Sequence, residues 1–130
     1  MPIKLTISHI TQLVIAVVEG DIERADFDGY LSALNSAKAI SYRKIFDASA
    51  ASAHALSVED IQALAARARD YAKIHAVGPF AIVVANDENL ELARLFGVET
   101  DTARPLRIFR DRDAARAWLD RLAPLPPDRG

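Results

Sequence analysis

The most constraining feature of this sequence is the segment 42–64, where a short apolar run is followed by a serine-rich turn and then by a helical pattern. Residues 44–46 favour a strand, and Asp47 ends the run. A short apolar run closed by a polar turn is typical of a strand that is buried on both faces. The segment therefore predicts a strand, a loop and a helix within an α/β domain.

The helix of this segment has a recognisable start and a regular inward face. Ser57 precedes Asp60 by three residues, which is the capping-box pattern. Residues of one face then recur at three- and four-residue steps, namely Ile61, Leu64, Ala65, Ala68, Tyr71, Ala72 and His75. Gly78-Pro79 is expected to end the helix, because glycine tolerates the left-handed turn and proline cannot continue a helix.

The rest of the chain predicts four further strands and three further helices. Strands are expected at residues 3–8, 13–18, 80–85 and 106–110, and helices at 24–36, at 87–96 before Gly97, and after Asp111, with a loop at 98–105. The first two strands are joined by a short turn and are expected to be antiparallel. Each later strand follows a helix, which predicts parallel pairs and right-handed connections.

These elements predict a single α/β domain over residues 1–122. Its order is β-β-α-β-α-β-α-β-α, and its sheet is mixed, mostly parallel and five-stranded, with an antiparallel N-terminal strand. Pro124, Pro126 and Pro127 exclude regular structure, so residues 123–130 are expected to form a Pro-rich flexible tail.

Composition narrows the classes of function that this domain can have. The formal net charge is −2 with no basic stripe, so nucleic-acid binding has no electrostatic support. The chain has no cysteine, which excludes thiolate chemistry, and no two of its three histidines have metal-ligand spacing. No apolar stretch approaches about 18 residues, and the start lacks a signal-peptide pattern. We therefore expect a cytoplasmic protein without a transmembrane segment, a metal or a cofactor.

Three segments carry a resemblance to a known family: VVEGDIERADFDGYLSAL, KIFDAS and RIFRDRDAARAWL. With the opening hairpin and the polar loop after the third strand, they resemble the STAS domain of sulfate transporters and anti-sigma-factor antagonists. The chain is most similar to stand-alone bacterial members that are called SpoIIAA-like, over about residues 5–122. The resemblance implies the fold and a regulatory module without enzymatic activity.

The resemblance also implies a candidate phosphorylation switch at Ser57. In anti-sigma-factor antagonists the switch is a serine in an Asp-Ser-Ser-Gly run that opens the second helix. Aligned from Asp47 without gaps, this chain has Ala55-Leu56-Ser57-Val58 at that run, so three of the four residues differ. A phosphate there would meet free N–H groups at the helix start, but Glu59 and Asp60 would repel it. The competing interpretation is that Ser57 is a simple N-cap.

Three functions remain open for the chain. The first, which we favour, is a non-catalytic module that docks a protein partner, or a second copy as a homodimer, through loop 48–58 and the second helix. Its candidate residues are Asp47, Ser49, Ser52, His54, Leu56, Ser57 and Val58. The second is a domain that binds a small apolar ligand or a lipid between helices and sheet. The third is a small hydrolase with Ser57, His54 and Asp47 as nucleophile, base and orienting carboxylate.

Overall fold

The fold is a five-stranded sheet covered by helices, in a computed structural model that describes residues 3–100 and 104–122. Its elements are β1 (Ile3–Ser8), β2 (Leu13–Asp21), α1 (Arg24–Ser36), β3 (Arg43–Ser52), α2 (Val58–Ile74), β4 (Phe80–Val83), α3 (Asp87–Thr100), β5 (Leu106–Phe109) and α4 (Arg112–Asp120). This is the predicted order. The expected flexible tail at 123–130 lies outside the described residues.

The strands lie side by side in sequence order, β1-β2-β3-β4-β5. β1 is antiparallel to β2, with Ile3 opposite Val18 and Ser8 opposite Leu13. The turn between them contains Gln12 with a φ of 52°, which lies in the left-handed region used by tight turns. β2, β3, β4 and β5 form parallel pairs. The prediction of a mixed, mostly parallel sheet with an antiparallel first strand is therefore confirmed.

Side-chain caps set the starts of three helices. The Ser57 hydroxyl accepts the Asp60 N–H at 3.1 Å, and the Asp60 carboxylate accepts the Ser57 N–H at 3.0 Å, so both halves of the capping box are formed. Asn86 Oδ1 accepts the Asn89 N–H at 2.8 Å before α3, and Asp111 accepts the Ala114 N–H at 3.1 Å before α4. These caps satisfy N–H groups that the helices themselves leave free.

The two faces of the sheet are covered unequally. One face carries α1, α2 and α3 and the larger apolar core, to which the strands contribute Val14, Ala16, Val18, Phe46, Phe80 and Ile82. The other face carries α4, whose Ala115 and Leu119 pack near Ile45 and Val83. Because successive strand side chains point to opposite faces, Lys44 and Phe46 face the three helices while Ile45 and Asp47 face α4.

Helix α2 packs mainly on the neighbouring helices rather than on the strands. Its main contacts are with α3 and α1. Arg67 on α2 forms an ion pair with Asp28 on α1 at 2.6 Å, and this bond raises the pKa of Arg67. The inner side chains Ile61, Leu64 and Ala68 line a cavity between this helix and the sheet. Helix α2 therefore covers an internal space.

Strand β3 is longer than predicted, because it does not end at Asp47. Residues 50–52 pair with residues 19–21 of β2 beyond a register shift. Two further bonds hold this extension: Asn89 Nδ2 donates to Ala51 O at 3.1 Å, and Ile22 N donates to Ser52 O at 3.0 Å. The predicted loop at 48–58 is therefore wrong for residues 48–52, which lie in the strand.

Two helix ends also differ from the prediction. Helix α2 ends at Ile74, before Gly78-Pro79, because His75 is already extended with φ −125° and ψ 151°. Helix α3 passes through Gly97 to Thr100, so the predicted stop at Gly97 is wrong. An added Cβ at Gly97 would lie 3.3 Å from the Leu106 side chain, so this glycine allows close packing of β5 on the helix.

Gly78 occupies a position with no room for a side chain. An added Cβ would lie 2.1 Å from Tyr42 O and 2.5 Å from Ser41 O. Gly78 N also donates to Ile40 O at 3.2 Å. The connection before β4 is therefore pressed against residues 40–42, the segment that leads into β3.

We expect Gly78→Ala to lower the free energy of unfolding by about 2–4 kcal/mol, because the backbone of residues 41–42 would have to move. Gly29→Ala is the matched control, because its added Cβ at an exposed position of helix α1 meets nothing within 4 Å. That substitution is expected to raise stability by about 0.5–1 kcal/mol. Urea denaturation followed by Trp118 fluorescence measures both, and equal stabilities of Gly78→Ala and wild type would contradict the close approach.

Candidate functional site

The candidate site is an apolar cavity between the sheet and helices α1, α2 and α3. Its volume is about 110 Å³. Its wall is almost entirely apolar and includes Phe27, Leu34, Phe46, Ile61, Leu64 and Phe80. Apolar cavities of about 150 Å³ stay dry and bind benzene, so this space suits a small apolar molecule.

Aromatic rings form a continuous row along one side of the cavity. Phe46 stacks on Phe27 with ring centres 5.3 Å apart, and it meets Tyr30 edge to face at 5.4 Å. Phe80 lies 6.2 Å from Phe46 and 6.1 Å from Phe96. Because these rings come from α1, β3, β4 and α3, the packing of four elements holds this wall in place.

A buried lysine lies at this aromatic wall. Lys44 is 2% exposed, and its Nζ donates to Ile40 O at 2.5 Å and to Tyr42 O at 2.7 Å. Burial lowers the pKa of Lys44 well below its usual range, and the nearby charge of Arg104 lowers it further. In its protonated form Lys44 has three hydrogens to donate, so one remains after these two bonds.

Arg104 and Tyr30 complete a polar cluster with Lys44. The guanidinium carbon of Arg104 lies 4.7 Å from the ring centre of Phe80, the residue of β4 that pairs with Lys44. Burial lowers the pKa of Arg104 to about 10, against a smaller raising effect of Tyr30. Burial raises the pKa of the Tyr30 hydroxyl, and the charge of Arg104 partly offsets this. The Tyr30 hydroxyl and Arg104 Nε are buried without a hydrogen-bond partner in the described chain.

Within residues 3–100 and 104–122, no carboxylate pairs with Lys44 or Arg104. The ion pairs of this part of the chain use other basic residues, such as Arg67 with Asp28 and Arg110 with Asp87. Removing a cation from water without a counter-ion costs several kcal/mol. Stability alone therefore does not explain why a buried lysine and a half-buried arginine lie together at this cavity.

The predicted residues Asp47 and Ser49 lie on the opposite side of the sheet from this cluster. Asp47 is buried on the face of α4, where it accepts the Ser49 hydroxyl at 2.6 Å and lies 3.8 Å from Arg112. Ser49 itself is exposed. Asp47 therefore bonds within its own strand and approaches the first residue of α4, and it does not line the cavity.

The remaining predicted residues have separate partners. His54 is exposed, with Nδ1 3.3 Å from Glu88 Oε1, and its backbone N–H approaches the Ser52 hydroxyl at 3.5 Å. Val58 is 51% exposed at the first turn of α2, whereas Leu56 is half-buried and lines the cavity. Leu56 is thus the predicted site residue that belongs to the cavity.

The described contacts do not bring Ser57, His54 and Asp47 together as a hydrolase triad. Ser57 exchanges two hydrogen bonds with Asp60, as the N-cap interpretation requires. Its backbone N–H, with the hydroxyl, lowers the pKa of the Asp60 carboxyl. The other two residues bond to Glu88 and Ser49, as described above.

Sequence reasoning missed Tyr30, Lys44 and Arg104 as candidate site residues. The available signal was Lys44, a basic residue inside a strand predicted to be buried on both faces. Tyr30 was indistinguishable from an ordinary core position of an amphipathic helix. Arg104 is brought to Lys44 by the pairing of β5 with β4, which the sequence pattern does not reveal.

The described residues show neither a metal site nor a membrane span. No three His, Asp or Glu side chains among them are grouped so that they could hold a metal ion. None of the described helices has the length and apolar character needed to cross a membrane.

Comparisons with known proteins identify a structural relative. No family model and no curated protein matches the sequence. The structure is similar to that of an uncharacterised protein of the DUF3478 family, with a SpoIIAA-like fold, from Shewanella loihica PV-4. The two chains are 19% identical, with a TM-score of 0.55, over 90% of this chain and 91% of that chain. This likeness confirms the predicted SpoIIAA-like, or STAS-like, fold.

Lys44→Met is expected to change how stability depends on pH. The unfolded chain binds the Lys44 proton more tightly than the folded chain does, so unfolding takes up a proton between the lowered folded pKa and about 10.4. The free energy of unfolding of the wild type, minus that of the variant, is therefore expected to increase as pH rises through this window.

Urea denaturation of both proteins at a series of pH values measures this difference. Lys4→Met, at an exposed position on β1, controls for the removal of a lysine from the surface. If the difference in free energy of unfolding between wild type and Lys44→Met stays constant across the pH series, the burial of a titrating amine at Lys44 is contradicted.

Proposed function

We propose that this domain of SpoIIAA-like fold is a non-catalytic binding module that holds a small apolar molecule between its sheet and helix α2. The observation that carries the proposal is the apolar cavity of about 110 Å³ behind that helix. Well-packed interiors contain few voids larger than a water molecule, because each void forfeits contacts along its lining. A ligand that fills the space would restore those contacts.

The size of the cavity limits the ligand to a small molecule. Sites for drug-sized ligands measure about 300–1,000 Å³, which is well above the volume here. An apolar cavity of about 150 Å³ binds benzene, which has six carbon atoms, so we expect a ligand of about that size here. Because so few atoms contribute, a dissociation constant from about 0.1 to about 1 mM is expected.

The packing of helix α2 supports the same proposal. The helix rests mainly on α1 and α3, so the inner side chains Ile61, Leu64 and Ala68 face the cavity. Contacts between helices can adjust by small sliding movements, which lets a ligand enter without disturbing the strands. Leu56, just before the helix, also lines the cavity and lies close to solvent.

Docking of a protein partner, or of a second copy as a homodimer, stays a prediction. Its support is the SpoIIAA-like fold together with two exposed apolar side chains at the ends of α2, Val58 at 51% and Ile74 at 77%. With residues 48–52 in a strand, the contact segment before the helix shortens to residues 53–57. Such docking is compatible with ligand binding, because it uses the outer face of the helix.

Benzene is the direct probe of the proposed function. Titration with benzene is expected to shift the methyl NMR signals of Ile61, Leu64 and Ile82, which line the cavity. The methyl signals of Ile45 and Leu119, on the face of α4, serve as the internal control and are expected to stay in place. Equal shifts on both faces, or none, would contradict the proposal.

A matched pair of variants tests the same cavity by filling it. Ala68→Leu adds three carbon atoms to a wall residue and is expected to weaken benzene binding at least about tenfold, because the space is small. Gln62→Leu, at an exposed position of the same helix, is the control and is expected to bind as wild type does. Unchanged binding by Ala68→Leu would place benzene elsewhere.

A further inference from the structure

The polar cluster of Tyr30, Lys44 and Arg104 occupies one patch of the cavity wall. Lys44 and Phe80 are paired neighbours on β3 and β4, and Arg104 stacks on Phe80. Phe46, two residues beyond Lys44 on the same face, packs against both Phe80 and Tyr30. Tyr30 and Arg104 therefore each pack on one of two neighbouring phenylalanine rings, and Lys44 lies beside them in the sheet.

Tyr30 and Arg104 each retain a donor for a further partner, and Lys44 does so in its protonated form, which a bound anion favours. The Tyr30 hydroxyl, on a residue that is 5% exposed, and Arg104 Nε are buried without a partner in the described chain. Lys44 Nζ donates two hydrogens to backbone oxygens, and its protonated form has a third. Buried polar groups are satisfied in the large majority of cases, so two unpartnered donors beside Lys44 at one cavity are an exception that requires explanation.

The charge of the cluster indicates the chemistry of the missing partner. Two basic side chains lie at an apolar cavity, and no carboxylate of the described residues pairs with them. A neutral apolar ligand would leave these groups unpaired. An anionic group would accept all three donors in charge-assisted hydrogen bonds, which are about twice as strong as neutral ones.

We propose that the ligand is a small monocarboxylic acid whose carboxylate binds Tyr30, Lys44 and Arg104 and whose apolar tail fills the cavity. The proposal rests on the apolar-ligand function above. A carboxylate offers two oxygens with about four acceptor positions, which suits three donors. A phosphate monoester carries a third oxygen and more negative charge, which this small donor set matches less well.

Hexanoate and 1-hexanol, which have six carbon atoms each, separate the carboxylate from the tail. Wild-type protein is expected to bind hexanoate at least about tenfold more tightly than 1-hexanol, measured by the methyl NMR titration at neutral pH. Equal affinities would overturn the carboxylate assignment and leave the apolar-ligand function standing. Binding of neither compound, together with no response to benzene, would overturn both proposals.

Two variants and matched controls assign the carboxylate to the cluster. Lys44→Met and Arg104→Met are each expected to lower the preference for hexanoate over 1-hexanol at least about fivefold, because each removes a donor to the carboxylate. Lys4→Met and Arg107→Met are the controls. Arg107 also lies over a phenylalanine ring, with its guanidinium carbon 5.4 Å from the centre of Phe109, but it is exposed. Both controls are expected to keep the wild-type preference.

A third, milder variant keeps the test valid if Lys44→Met or Arg104→Met fails to fold. Tyr30→Phe removes one hydroxyl and keeps the ring that packs on Phe46. It is expected to lower the hexanoate preference about threefold or more. An unchanged preference in Tyr30→Phe and in every folded variant of the other two residues would overturn the cluster as the site. Tighter binding of hexyl phosphate than of hexanoate would overturn the choice of a carboxylate.

Discussion

The rest of the structure depends on strand β3, which is paired in parallel with β2 on one side and with β4 on the other. Because its side chains alternate, one strand supplies Phe46 to the larger core and Ile45 to the core beneath α4. The same alternation directs Lys44 into the cavity and Asp47 to the start of α4. A shift of this strand by one residue would exchange these environments and place the carboxylate in the cavity.

The elements that local chemistry determines could be predicted from the sequence. The hairpin followed from a turn too short for a crossover, and Ser57 and Asp111 identified where two helices begin. Helix α1 was predicted with its observed bounds, because its apolar face and its flanking turns agree. Order, strand directions and the SpoIIAA-like fold followed from these local features together.

The errors arise where distant contacts override local signals. β3 continues beyond Asp47 because the end of β2 and the side chain of Asn89 satisfy its backbone. Helix α3 continues through Gly97 because packing against Leu106 favours a residue without a side chain. The cavity cluster was missed for the same reason, since Tyr30, Lys44 and Arg104 are far apart in sequence and meet through sheet order. In the serine-rich segment, the main candidate site residue, Ser57, proved to be the N-cap of helix α2.

The packing of α2 on other helices has a consequence for how a ligand in the cavity would affect the outer surface of this helix. A helix with few strand contacts opens locally at a lower free energy than the sheet does, so its amide hydrogens exchange faster than those of the central strands. A molecule behind the helix that touches Ile61 and Leu64 would slow this exchange along its whole length. The exposed ends at Val58 and Ile74 would become more rigid at the same time, so the outer surface would register whether the interior is filled.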